Sequence, residues 1–150
     1  MYLRGAAWDA QSTYSIYPLE KAIGFYEQAV QLDPNFALAH ARLACVCAEV
    51  FRYYEPTESW QTKARTEAET ALQLQPNLAE AHFALGQCLY WMDHDYDKAL
   101  EQFEMASRLS PSNADTHRLI AAIERRQGKW QEALATYAQV AKLDPHNPST

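Results

Sequence analysis

Residues 79–111 read AEAHFALGQCLYWMDHDYDKALEQFEMASRLSP, and this stretch decides the fold because its landmarks recur along the chain. Its closing Leu109-Ser110-Pro111-Ser112 returns as Leu32-Asp33-Pro34-Asn35, Leu74-Gln75-Pro76-Asn77 and Leu143-Asp144-Pro145-His146. The proline spacings are 42, 35 and 34. Twelve residues before each proline stands an alanine: Ala22, Ala64, Ala99 or Ala133. Four residues after each alanine comes Tyr26, Ala68, Phe103 or Tyr137, so the second half of every unit has a fixed length. The first half is marked by His40-x-x-Leu43-Ala44, His82-x-x-Leu85-Gly86 and His117-x-x-Ile120-Ala121. From histidine to the next alanine anchor the counts are 24, 17 and 16, which puts eight extra residues and one extra residue between the halves. Length variation confined to one turn is what two rigid elements joined by a loop produce.

Both halves read as helix. Ala99, Phe103 and Ala106 follow the i, i+4, i+7 spacing of one helix face, as do Ala133, Tyr137 and Val140. Proline ends the second helix of each unit, because it cannot continue a helix and pushes the preceding residue out of helical conformation. Only four glycines interrupt an alanine-rich chain, and glycine costs roughly 1 kcal/mol relative to alanine in a helix interior. Each unit is therefore expected to be a helix hairpin whose apolar face only the next hairpin can cover. The eight-residue insertion adds about one turn to each helix of its hairpin, with Pro56 ending the first helix and Thr57 capping the second. Phe51, Tyr53, Tyr54 and Trp60 cluster at that tip; packing against neighbours, particularly the Trp8-to-Tyr17 segment, is expected, with a contact patch for a partner the alternative.

The order His or aromatic, Leu, Gly or Ala, then Ala, aromatic and Pro resembles the tetratricopeptide repeat, whose period is about 34 residues. The fit is closest in the unit from Ala79 to Pro111, with Leu85-Gly86, Tyr96, Ala99, Phe103, Ala106 and Pro111 in place. The resemblance implies an all-α, right-handed α-solenoid of about 3.5 helix hairpins, roughly eight helices in a single domain. Its repeats span 1–34, 37–76, 79–111 and 114–145, with a tail at 146–150. The first unit begins inside its first helix, with Gly5 at the place of Gly86, and the last lacks a polar capping helix. A piece of a longer protein, or ends that pack on other copies, is the expectation. Leu3-Arg4-Gly5 and Leu19-Glu20-Lys21-Ala22-Ile23, followed by the lengthened hairpin, are also similar to a bacterial subgroup. There such arrays accompany a cyclase-like domain, a Ser/Thr kinase or a winged-helix regulator, which implies a regulatory module.

Composition removes several alternatives. A formal charge of −6 without a basic run argues against nucleic acid as a partner, and no apolar stretch reaches the roughly 18 residues a membrane span needs. Three sparse cysteines, Cys45, Cys47 and Cys88, do not read as a disulfide framework; they fit a reducing setting, with the cytoplasm expected and the periplasm the alternative. Equivalent histidines on successive hairpins stand about 8–10 Å apart, too far to share one metal ion whose ligands approach to about 2 Å. Packing is their expected role, and a solvated loop is expected of Asp93-His94-Asp95. No Ser/His/Asp arrangement or phosphate loop appears. No cofactor, metal or catalysis is expected.

What remains is the concave surface lined by the first helix of each unit. The alignment places Arg42, Glu49, Glu80, Phe83, Gln87, Tyr90, Arg118 and Arg125 there as a peptide-binding groove, with Leu38, Ala41, Cys45, Asp115 and Ala122 beside them. Repeats that grip chaperone tails use Lys, Arg and Asn in this groove. Here Ala41, Cys45, Ala84, Asp115 and Leu119 stand instead, so that clamp is absent. An extended or helical protein segment whose carboxylates meet Arg118 and Arg125 is the expected ligand, and self-association through the uncapped ends is the alternative.

Overall fold

A computed structural model describes residues 1–10 and 15–145, so the expected 146–150 tail and residues 11–14 of the Trp8-to-Tyr17 segment lie outside it. Among the described residues there are eight helices and no strands. They are α1 (Tyr2–Asp9), α2 (Ile16–Leu32), α3 (Ala37–Tyr53), α4 (Glu58–Leu74), α5 (Ala79–Trp91), α6 (Tyr96–Leu109), α7 (Ala114–Arg126) and α8 (Trp130–Leu143). Each helix packs on the next, and α3 also packs on α5 across the intervening α4. The result is a solenoid with α1, α3, α5 and α7 on one side.

Local chemistry sets the helix ends. Asp33, Gln75, Ser110 and Asp144 each leave helical geometry with φ between −137° and −144°, as residues before proline must. Side chains cap four helix starts: Ser15 on α2, Thr57 on α4, Asp95 on α6 and Asn113 on α7. The lengthened hairpin has 17 residues in both α3 and α4, against 13 in α5 and 14 in α6, so the insertion does add about a turn to each helix. Its tip is partly packed. Trp60 lies against the first core cluster with Trp8 and Ile16, and the Tyr53 ring meets Trp91 edge-on at 5.9 Å.

The recurrent residues hold the hairpins together. The four anchor alanines are fully buried or nearly so. Opposite them a small residue of the first helix faces the aromatic of the second: a Cβ added to Gly5 would lie 2.7 Å from Tyr26, and one on Gly86 2.6 Å from Phe103. In the lengthened unit both positions are small, and Ala44 and Ala68 share a cluster with Ala84 of the next hairpin. The histidines do more than pack. Nε2 of His40, His82 and His117 donates to the carbonyl of Pro34, Pro76 and Pro111 at 3.0, 2.9 and 2.9 Å. Each ring thereby ties the loop that ends one hairpin to the first helix of the next, satisfying a carbonyl at the turn.

Candidate functional site

One concave groove of about 580 Å³ runs across the first helices of all four hairpins. Its floor is a ladder: Ala6, Cys45 and Gln87 occupy the same place in α1, α3 and α5, and Ala10, Glu49 and Trp91 form the next rung. Arg42 and Phe83 stand at the other edge, with Asp115, Arg118 and Leu119 of α7 closing one end and Asp9 of α1 the other.

The charges are largely matched within the groove. Arg118 is held by Asp115 at 3.1 Å and by Asp144, the residue after α8, at 3.2 Å. Asp9 accepts from the Tyr26 hydroxyl at 3.2 Å and lies in the field of Arg42; burial raises its pKa above the usual carboxylate value. Glu49 differs, with no hydrogen bond or ion pair among the described residues. Burial pushes its carboxyl up to about 7, the fields of Asp9 and Asp115 add to that, and Arg42 opposes. On the neighbouring α5, Gln87 is 3 % exposed and its side-chain oxygen has no partner among the described residues.

The sequence-predicted residues divide. Arg42, Glu49, Phe83, Gln87 and Arg118 come together in the groove, as do Cys45 and Asp115. Glu80, at the start of α5, is half-buried and outside the lining. Tyr90 turns into the seam with the next hairpin, 7 % exposed, where its ring meets Tyr96 and its oxygen accepts from Arg126 Nε at 2.8 Å. Arg125 is exposed at the end of α7, also outside the lining. One residue along a helix turns a side chain by about 100°, and the rung lies at Trp91, one residue beyond Tyr90. Asp9, Tyr53 and Trp91 are lining residues that the alignment alone does not pick; extending the Glu49 register to α5 would find Trp91.

Other constellations are occupied or inert. Arg65 grips both carboxylate oxygens of Asp93 at 2.6 and 2.7 Å, and Asp95 caps α6 and pairs with Lys98 at 2.8 Å. His94 makes the turn with φ 55°. No group of three metal-binding side chains is present among the described residues, and none of their helices is long and apolar enough to cross a membrane. The three cysteines are buried and unpaired, and burial raises every one of these thiols, Cys47 and Cys88 to about 12. A thiol held protonated is a poor nucleophile.

Comparison with known proteins gives one family. A model described as the tetratricopeptide repeat matches residues 62–113 and 89–148. The transcriptional regulator HilA of Salmonella typhimurium is 28 % identical over 146 residues, covering 97 % of this chain and 26 % of HilA. The chain thus spans about a quarter of the length of the curated relatives it matches. Among solved structures, TTC0263, a thermophilic TPR protein of Thermus thermophilus, superposes with a TM-score of 0.72 at 20 % identity, over 86 % of this chain and 67 % of that one. MamA of Desulfovibrio magneticus superposes with a TM-score of 0.66 at 19 % identity, over 98 % and 75 %. These structural likenesses bear on the fold.

Proposed function

The chain belongs to the tetratricopeptide repeat family, and from that premise we propose that it is a non-enzymatic scaffold that seats an extended segment of a partner protein in its concave groove. The observation that carries this reading is the continuity of the groove across all four hairpins, with Phe83, Trp91 and Leu119 as apolar footholds among paired charges. Aromatic and arginine side chains in a partly desolvated trough are the residues that dominate binding energies. The likeness of nearly the whole chain to a quarter of HilA supports a regulatory module within a larger bacterial protein; the cytoplasm is the proposed setting. Nonapeptides selected by display against the chain are expected to lose about tenfold or more in affinity for the Phe83→Ala and Trp91→Ala variants. Titration calorimetry reads this, with circular dichroism verifying the fold. Undiminished affinity in both variants would remove the groove from the account.

A second reading rests on α8. Trp130, Leu134 and Ala138 form an exposed stripe at i, i+4, i+8, with Trp130 63 % and Leu134 70 % exposed. Such a stripe is what another hairpin would cover, so self-association through this face is the alternative function. Sedimentation velocity is expected to show a concentration-dependent dimer that Leu134→Lys abolishes. A monomer at every concentration would discard this second reading.

A further inference from the structure

Building on the groove reading, we propose that the groove selects an arginine side chain of the bound segment, whose guanidinium pairs with Glu49, donates to the Gln87 side-chain oxygen and lies against Tyr53 and Trp91. Three independent observations converge on it. First, Arg118 is paired with Asp115 and Asp144, Asp9 accepts from Tyr26, and Arg42 acts on both Asp9 and Glu49 only through its field, which leaves Glu49 as the groove carboxylate with no hydrogen bond or ion pair among the described residues. Second, Gln87 lines the same trough, and its side-chain oxygen, buried just below the surface, has no donor among the described residues. A buried acceptor without a donor costs free energy that a ligand N–H would recover. Third, Tyr53 and Trp91 meet edge-on at 5.9 Å at this end of the groove; ring faces attract a planar cation, as Arg52 already does over Tyr53 at 5.7 Å, and the Trp91 ring is the further foothold.

The charge around Glu49 opposes the reverse assignment at this end of the groove. A carboxylate brought to Glu49 would meet Asp9 and Asp115 as well, and both already disfavour a second negative charge there. Arginine suits the site better than lysine because its fork supplies several donors in one plane, enough for a carboxylate and an amide oxygen together.

The test uses the full chain and four nonapeptide pools, randomised except for a fixed central Arg, Lys, Glu or Leu. Fluorescence anisotropy is expected to give the Arg pool about tenfold higher affinity than the Glu pool, and a lead over the Lys pool. In Glu49→Gln the Arg and Glu pools should fall within about twofold of each other. The groups facing Glu49 are Asp9 of α1, Arg42 and Cys45 of its own α3, Gln87 of α5, and Asp115 and Arg118 of α7. Burial raises Asp9 and Cys45 too, so the Glu49→Gln variant is what separates the Glu49 contribution from theirs. Affinity for the Arg pool is expected to rise about tenfold from pH 6 to pH 8 as Glu49 ionises, and to stay level in Glu49→Gln. Equal affinity for Arg, Lys and Glu pools, or a preference that survives Glu49→Gln, overturns the arginine assignment while leaving the groove in place. Binding by no pool overturns both.

Discussion

Phe103→Ala is expected to destabilise the chain by about 3–5 kcal/mol, the range for deleting a buried phenyl ring. Phe103 is fully buried and sits where a Cβ on Gly86 would come within 2.6 Å of its ring. Ring and glycine are thus one fitted pair. Gly86→Ala alone should cost about 1–3 kcal/mol by overpacking. In the Phe103→Ala background the same methyl enters vacated space and removes a helix glycine, which is worth up to about 1 kcal/mol. The double variant has the composition of Ala44 and Ala68 in the lengthened hairpin, where two small residues pack beside Ala84. Urea titrations of the two single variants and the double variant should therefore show a favourable coupling of at least about 1 kcal/mol. Strict additivity would mean that the pair does not hold the third hairpin together.

Glu49→Gln is expected to stabilise the chain at pH 8 and to do almost nothing at pH 4.5. The Glu49 carboxyl is raised from an ordinary 4.5 to about 7 in the folded chain, chiefly by burial. Between those values the folded chain holds a proton that the unfolded chain has released, so stability falls as pH rises. Below the range both states are protonated and no penalty exists; above it both are ionised and the penalty is complete. At 1.36 kcal/mol per unit the shift sets a ceiling of about 3 kcal/mol, and the solvent that still reaches the groove lowers this to roughly 2 kcal/mol. Glutamine keeps the shape of the protonated acid without its charge. Thermal melts of both chains from pH 4.5 to 8 should diverge through that range. A constant gap would show that the variant acts by packing, and no gap at pH 8 would show that Glu49 is well solvated.

The proposed ligand would offset a cost that the groove carries when empty. Glu49 unmatched and Gln87 unsatisfied lower the stability of the free chain, and a ligand able to meet both would recover that free energy on binding.

The fold is legible in the sequence because its evidence is periodic. Pro34, Pro76, Pro111 and Pro145, with the alanines twelve residues earlier, fix the length of each second helix, and buried Ala22, Ala64, Ala99 and Ala133 follow from that register. Pro56 and Thr57 set the lengthened turn by local chemistry alone. The groove is legible on α3, along α5 as far as Gln87 and in the first turns of α7, where the alignment finds Arg42, Glu49, Phe83, Gln87 and Arg118. It slips at the far ends of α5 and α7, since one residue of misregister turns a side chain from trough to seam, as Tyr90 shows beside Trp91. The pairing of Arg118 with Asp144, and of Asp9 with Tyr26, brings together residues far apart in the chain. No spacing rule reports such contacts. They decide the electrostatics of the groove: the Arg118 that spacing offers to a ligand carboxylate is already paired with Asp115 and Asp144, and its Nε alone lacks a partner among the described residues.

The most direct test of the central claim uses the four tryptophan indoles as reporters. Trp91 lines the groove, Trp8 and Trp60 pack with it around the first core cluster, and Trp130 is exposed at the start of α8. In a proton–nitrogen NMR spectrum, adding a display-selected nonapeptide should shift the Trp91 indole and the Gln87 side-chain amide while leaving Trp130 in place. Shifts confined to Trp130, with Trp91 and Gln87 unmoved, would contradict the groove and make the α8 face the working surface of the molecule.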